Sequence, residues 1–348
     1  MKTKLIFAIF FLFILNFSIK AQIPLIMLEN FSYPAGDSLG AHGWVSFSGG
    51  NTNVLSVVSP GLIYPGYPGS NIGNCCHMSN NGQDAYKQFD SITSGYVYVA
   101  FMVRIDSAKT GTGDYFFALL PSNSTSNYTA RTFVHDSTGS GNIAFGIIKS
   151  TTSTGPLVYG APTFSIGATC LLIVKYKFNT GSTTDDEISL FAFSSGVPST
   201  EPSTPYAGPV TGTITDAPNI SRVALRQGSA TTAATLNIDG FRVATSWSNL
   251  LTSLKNISTV APDFKLSQNY PNPFNPTTNI RFSLPSKEFV TLKTYNSLGM
   301  EVSTLVNQNL NAGIYEVNFD GKDLSSGTYY YRLTAGNYTE TKKMLMIK

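Results

Sequence analysis

Apolar and polar residues alternate along most of this chain, and the alternation has the period of a β-strand. Val97, Val99, Phe101, Val103 and Ile105 line one side of a run, with Tyr96, Tyr98 and Met102 on the other. Leu172, Val174, Tyr176 and Phe178 repeat the pattern, followed by Ile188, Leu190 and Ala192. Ile143, Phe145 and Ile147, and later Leu236 and Ile238, extend it. Rows of period two predict strands. Several runs are apolar on both sides, as expected where two large sheets stack about 10 Å apart. Roughly twelve strands between Gln22 and Leu250, joined by Gly-, Pro- and Ser-rich loops, predict an all-β jelly-roll sandwich.

The pattern resumes, with shorter rows, over residues 264–348. Ile280, Phe282 and Leu284 form one row, Tyr315, Val317 and Phe319 a second, and Tyr329, Tyr331 and Leu333 a third. Turn residues separate them at Asn296 to Gly299, Asn311 to Gly313, Ser325 to Gly327 and Ala335 to Asn337. Roughly six or seven short strands predict a small immunoglobulin-like antiparallel sandwich. The polar stretch 251–263 is expected to be a linker between the two domains.

This second module opens with Asn269-Tyr270-Pro271-Asn272-Pro273-Phe274-Asn275-Pro276 and closes with Lys342-Lys343-Met344. Between them lie Tyr295-Asn296-Ser297-Leu298-Gly299 and Leu324-Ser325-Ser326-Gly327-Thr328-Tyr329. In this order the segments resemble a type IX secretion (Por system) C-terminal sorting domain of type A. The resemblance implies export across the outer membrane of a Bacteroidota-like bacterium, with the type IX machinery as partner. It also implies that the module is removed, or exchanged for a surface lipid anchor, once outside. Gly327, Lys342, Lys343 and Lys348 are the expected sorting-signal residues. The final strand could offer a receptor both charge and a backbone edge. Alternatively, its lysines only guard an edge strand against aggregation.

The amino terminus fits that destination. Lys2 and Lys4 precede an apolar run from Leu5 to Phe17, shorter than the roughly 20 residues a membrane-spanning helix needs, so residues 1–21 are expected to be a cleaved signal peptide. No later stretch is expected to span a membrane, so the mature protein is expected outside the cell or tethered to its surface. The signal also accounts for the net charge. The precursor carries 23 basic and 20 acidic side chains, and three of the lysines lie in the signal, which leaves the mature chain formally neutral. Neutrality removes the usual reason to expect nucleic acid, whose phosphates need a basic surface.

The displayed domain, 22–250, resembles concanavalin-like and laminin-G-like jelly rolls. The resemblance rests on Leu28-Glu29-Asn30-Phe31, on Val174-Lys175-Tyr176 followed by Glu187-Ile188-Ser189-Leu190-Phe191, and on Asn237-Ile238-Asp239-Gly240-Phe241-Arg242-Val243. It implies that the first and last strands lie together, which would bring Glu29 near Asp239 as ligands of a structural Ca²⁺. The other reading makes Asp239-Gly240 a turn or bulge and Glu29 a solvated edge residue.

Catalytic patterns are few. Gly36-Asp37-Ser38-Leu39-Gly40 satisfies the Gly-x-Ser-x-Gly pattern but lacks the strand-to-helix context a nucleophile elbow needs. Paired carboxylates for glycoside hydrolysis are missing from the expected strand. Asp185-Asp186-Glu187 reads as a solvated hairpin tip. Arg131 and His135, alternating along one strand, leave open a lyase using Tyr or His with Arg. The domain is therefore read as non-catalytic, binding carbohydrate or a surface polymer. A divergent polysaccharide-active enzyme and a purely structural or adhesive protein are the alternatives. Trp44, Tyr64, Tyr67 and Trp247 are the expected carbohydrate-binding aromatics, the Pro-rich loop 60–69 holding two of them stiffly; capping of the sandwich core is their other reading. Three cysteines suit at most one bond, from Cys75 or Cys76 to Cys170, and otherwise all three are buried thiols.

Overall fold

The computed structural model describes residues 25–149, 155–212, 214–250, 254–258, 261–310, 312–321 and 324–348. The expected signal peptide, 1–21, lies outside the described residues. Residues 25–250 form a concanavalin-like jelly roll of two eight-stranded antiparallel sheets. The first runs in the order Ala207–Val210, Glu187–Phe193, Thr169–Lys177, Tyr96–Ser107, Thr235–Ala244, Cys75–Met78, Ser56–Val58, and Met27–Glu29 also pairs with Thr235–Ala244. The second runs Val158–Tyr159, Asn142–Ile148, Thr129–Asp136, Asp114–Leu120, Ile220–Leu225, Asp84–Ile92, Val45–Ser48, with Phe164–Ser165 also on Asn142–Ile148. The predicted rows become the floor and ceiling of one core: Val97, Val99, Phe101 and Val103 of the first sheet meet Phe117, Val134, Phe145 and Val223 of the second. Short strands that the alternation does not reveal raise the count above the expected twelve.

The outer face of the first sheet is not left to water. Tyr98, Ala100, Met102, Leu171, Ile173 and Phe191 point away from the main core and are covered by Leu62, Tyr64 and Tyr67 and by the short helix Trp247–Leu250. Strands apolar on both faces thus sit in a three-layer stack, which explains why their alternation is blurred.

The cysteines are all free and buried, so the expected disulfide does not form. Register explains this. Cys76 pairs with Ile238, Ile238 with Val103 and Val103 with Cys170. Three strand spacings put about 14 Å between the two, far beyond disulfide reach. Cys75 points the other way, into the covered outer layer. Burial pushes the Cys75 and Cys170 thiols up to about 12, so they are inert as nucleophiles.

The second module is a sandwich of two four-stranded sheets with its own core, including Ile280, Phe282, Leu292, Val317, Tyr331 and Met344. Part of the expected linker belongs to it: Leu254–Ser258 pairs with Gly313–Asp320.

Candidate functional site

The aromatic residues expected to bind sugar are in the interior. Trp44 is 2% exposed, Tyr64 1%, Tyr67 4% and Trp247 5%. Their polar atoms are also engaged within the protein. Trp44 Nε1 donates to Glu29 (3.3 Å), the Tyr67 hydroxyl to the Gly240 carbonyl (2.7 Å), the Tyr64 hydroxyl to the Gly196 carbonyl (2.9 Å) and Trp247 Nε1 to the Pro198 carbonyl (2.9 Å). Tyr64, Tyr67 and Trp247 hold the covering layer on the first sheet, and Trp44 lies in the main core against Phe31 and Phe241.

Each of the two expected calcium ligands is engaged within the protein. Glu29 pairs with Lys87 of the second sheet and accepts from Trp44, from the Tyr33 hydroxyl (3.0 Å) and from the Phe31 N–H (2.9 Å). A carboxylate so supplied has its charge balanced by an ammonium. Asp239 instead accepts from the Leu62 N–H of the covering loop (2.9 Å) and from its neighbour Gly240 (2.6 Å). Burial raises its carboxyl to about 8 despite these donors, and the charge of Glu29 adds to the rise. The register shift at Gly240, whose φ is +65°, is a bulge that turns Asp239 toward the loop.

Gly36 to Gly40 is no nucleophile elbow. Ser38 makes an isolated bridge with Ser56 and precedes a single 3-10 turn, Leu39–His42. His42 pairs with Asp37 at 2.9 Å and stacks on Tyr33. The expected acidic hairpin tip is in part an interior feature. Asp186 is buried and accepts from the Tyr176 hydroxyl (2.5 Å), while Asp216, close to Asp185 and Asp186, is paired with the buried Lys149.

A different surface gathers chemistry. Along the second sheet, side chains alternate with the main core, so the intervening residues form its outer face. Tyr115, Ala118, Phe133 and Ile148 make a separate apolar cluster there, joined by Tyr128, Leu157 and Tyr159. Tyr86 continues it across Ala224 and Ala118, its register partners in turn. Phe47 packs against both Tyr86 (5.8 Å between centroids) and Tyr128 (6.2 Å). Phe47, Tyr86, Tyr128 and Tyr159 remain partly exposed, giving a sheet surface paved with rings.

Guanidinium groups brace that paving. Arg131 and Arg226 approach the Tyr115 ring at 4.9 and 4.2 Å, and Arg222 approaches Tyr86 at 4.5 Å. Arg226 pairs with Asp114 (2.8 Å), and Arg131 hydrogen-bonds the Tyr115 hydroxyl. Burial raises the Tyr115 phenol, with Arg226 and Arg131 pulling it back, and burial pushes Tyr128 up to about 12. Both phenols are therefore neutral donors at neutral pH. His135 stacks on Tyr159 (4.0 Å) and donates through Nδ1 to the Gly111 carbonyl (2.5 Å). Gly146 makes room for this pair, since a Cβ there would meet the Tyr159 ring at 2.7 Å. The expected Arg131–His135 pairing is thus on one strand, but four residues apart along it, or about 13 Å. The two serve different ends of the face.

In the second module, the lead-in segment and the terminal strand Tyr338–Met346 are joined. The Gln268 side-chain amide donates to the Lys343 carbonyl (2.8 Å), and Asn272 Oδ1 accepts from the Leu345 N–H (2.8 Å). Phe274 completes the row, its N–H donating to the Leu345 carbonyl and its carbonyl accepting from the Ile347 N–H. The edge from Lys343 to Ile347 is therefore occupied, and the expectation of an open backbone edge there does not hold. Lys343 and Lys348 are exposed, Lys342 pairs with Glu340 (2.9 Å), and Gly327 lies opposite Met346 in the adjoining strand. This module matches the family described as the secretion system C-terminal sorting domain over residues 268–348. It is a type IX sorting domain. The sorting domain implies export by the type IX machinery to the cell surface or the medium. Among the described residues, no helix is long and apolar enough to cross a membrane.

Comparison with curated proteins returns no match. Solved structures similar to the displayed domain include alginate lyase Aly36B, 15% identical, covering 64% of this chain and 97% of that one with a TM-score of 0.37. The marine PL-14 alginate lyase of Aplysia kurodai is 9% identical, over 64% of this chain and 99% of that one, with a TM-score of 0.40. Lectin I-B4 of Griffonia simplicifolia is 11% identical, over 63% and 98%, with a TM-score of 0.28.

Proposed function

We propose that the sorting domain delivers a carbohydrate- or surface-polymer-binding domain, and that the ligand lies on the ring-paved outer face of the second sheet without being cleaved. The observation that carries this reading is the run of partly exposed rings, Phe47, Tyr86 and Tyr128, on a floor held rigid by Tyr115, Phe133 and the arginines. Pyranose rings present flat C–H faces to such surfaces, and a ring already fixed by packing loses little entropy on contact. The spread of Arg131 and His135 over the face favours binding above catalysis, because a reaction needs its acid, base and charge stabiliser within hydrogen-bond reach of one another.

A glycan array probed with the full chain tests this. Retention of at least one polysaccharide is expected, and Tyr128→Ala should weaken it by about tenfold, the order of one lost stacking contact. Retention that is indifferent to Tyr128 would move the site elsewhere. Release of shortened or unsaturated products from the retained polymer would make the domain an enzyme.

A further inference from the structure

The rings that pave the outer face do not share a plane. Phe47 is inclined by 38° to Tyr86 and by 46° to Tyr128, and Tyr128 by 64° to the buried Tyr115 ring. Their positions explain this. Phe47 lies in the register shift of the edge strand Val45–Ser48, Tyr86 on the strand beside it, and Tyr128 just ahead of Thr129–Asp136. A bulge and the twist of the sheet therefore set the three planes apart. The phenols of the face are also left open. Elsewhere in the jelly roll, tyrosine hydroxyls close on the protein itself: Tyr64 on the Gly196 carbonyl, Tyr67 on Gly240, Tyr98 on Glu201 and Tyr159 on Thr112. Among the described residues, the Tyr86 and Tyr128 hydroxyls make no such bond, and both side chains are partly exposed.

We propose that this face takes a single hydrated polysaccharide chain, not the surface of a crystalline polymer, and that the Tyr86 and Tyr128 hydroxyls bond the chain's free hydroxyl groups. This rests on the carbohydrate reading above and narrows it. A crystalline polymer presents one plane of sugar faces. No plane lies flat on three rings inclined to one another, so such a surface would meet Phe47 or its neighbours edge-on and lose the stacked contact. In a crystal, the hydroxyls at the rim of each sugar are also taken up by neighbouring chains. Contact would then strip water from the two phenols without giving them partners. A free chain turns about its glycosidic bonds, so successive sugars can tilt with successive rings while their hydroxyls stay available.

The test uses the full chain and polymers in two physical states. Microcrystalline cellulose, crystalline chitin and raw starch granules should not deplete the protein from solution. At least one dissolved polymer should retard it in affinity electrophoresis, from hydroxyethyl cellulose, glycol chitin, gelatinised starch and the polymers retained on the glycan array. Short oligosaccharides of that polymer should release it. Tyr86→Phe and Tyr128→Phe, which keep the rings, should each weaken binding about threefold for one lost hydrogen bond, at unchanged melting temperature. Depletion by a crystalline solid as strong as the binding of its dissolved counterpart would overturn the single-chain class and leave the carbohydrate reading intact. Full binding by both Phe variants would likewise overturn the proposal, by leaving the rings alone as the contact. Failure of every polymer in either state would overturn both readings.

Discussion

Glu29 holds four donors from three parts of the chain: the Lys87 ammonium, Trp44 Nε1, the Tyr33 hydroxyl and the Phe31 N–H. Removing it would strand a half-buried ammonium and three polar hydrogens, so Glu29→Ala should cost about 3–5 kcal/mol in chemical denaturation. Glu29→Gln, which keeps the shape and one acceptor, should cost less. Asp239 makes the opposite kind of prediction. Unfolded, its carboxyl ionises near the usual value of about 3.9; folded, it does so at about 8. Between those values the folded state keeps a proton that the unfolded state has released. The stability this provides is complete below the unfolded value and is lost as pH climbs toward the folded one. Melting temperature should therefore fall from about pH 5 to 8, and the fall should be shallower in Asp239→Asn. Parallel profiles for the two proteins would refute the assignment.

At the scale of elements, the lead-in of the sorting domain acts as a substitute strand. Side-chain amides of Gln268 and Asn272 take the places of backbone groups, and Pro271 and Pro273 lack N–H groups that would otherwise need partners. Asn272→Ala should speed hydrogen exchange at the Leu345 amide by roughly three- to tenfold, for the loss of about 1 kcal/mol. Asn272→Asp, which keeps the acceptor, should not. The strands of this module were legible because each buries one face and leaves the other to water, as in Thr277–Leu284. In the displayed domain the same alternation located Tyr96–Ser107 and Thr169–Lys177 but could not say what lay on their second face. A loop and a helix turn cover it, and so Trp247, Tyr64 and Tyr67 became core where sequence suggested a ligand surface. The true ring-paved face was nearly hidden, because Tyr86, Tyr115, Tyr128 and Arg222 are scattered over more than a hundred residues and meet only through register. Only the spacing of Arg131 and His135 along one strand pointed to it.

At the scale of the whole molecule, the described residues divide into a jelly roll and a sorting sandwich with separate buried clusters and no β-pairing from one to the other. That separation matters for an exported protein that carries a sorting domain. If the displayed domain leaned on the tail for its core, removing the tail would unfold the cargo. Separate cores predict separate transitions in calorimetry of the full chain, each sensitive to its own interior. Leu172→Ala, inside the jelly roll, should lower only one transition, and Leu292→Ala, inside the sorting sandwich, only the other. Each truncation should cost about 2–5 kcal/mol within its own unit. Were either substitution to move both transitions together, the two domains would share their stability, and loss of the tail would then be a destabilising event for the ring-paved face instead of a neutral one.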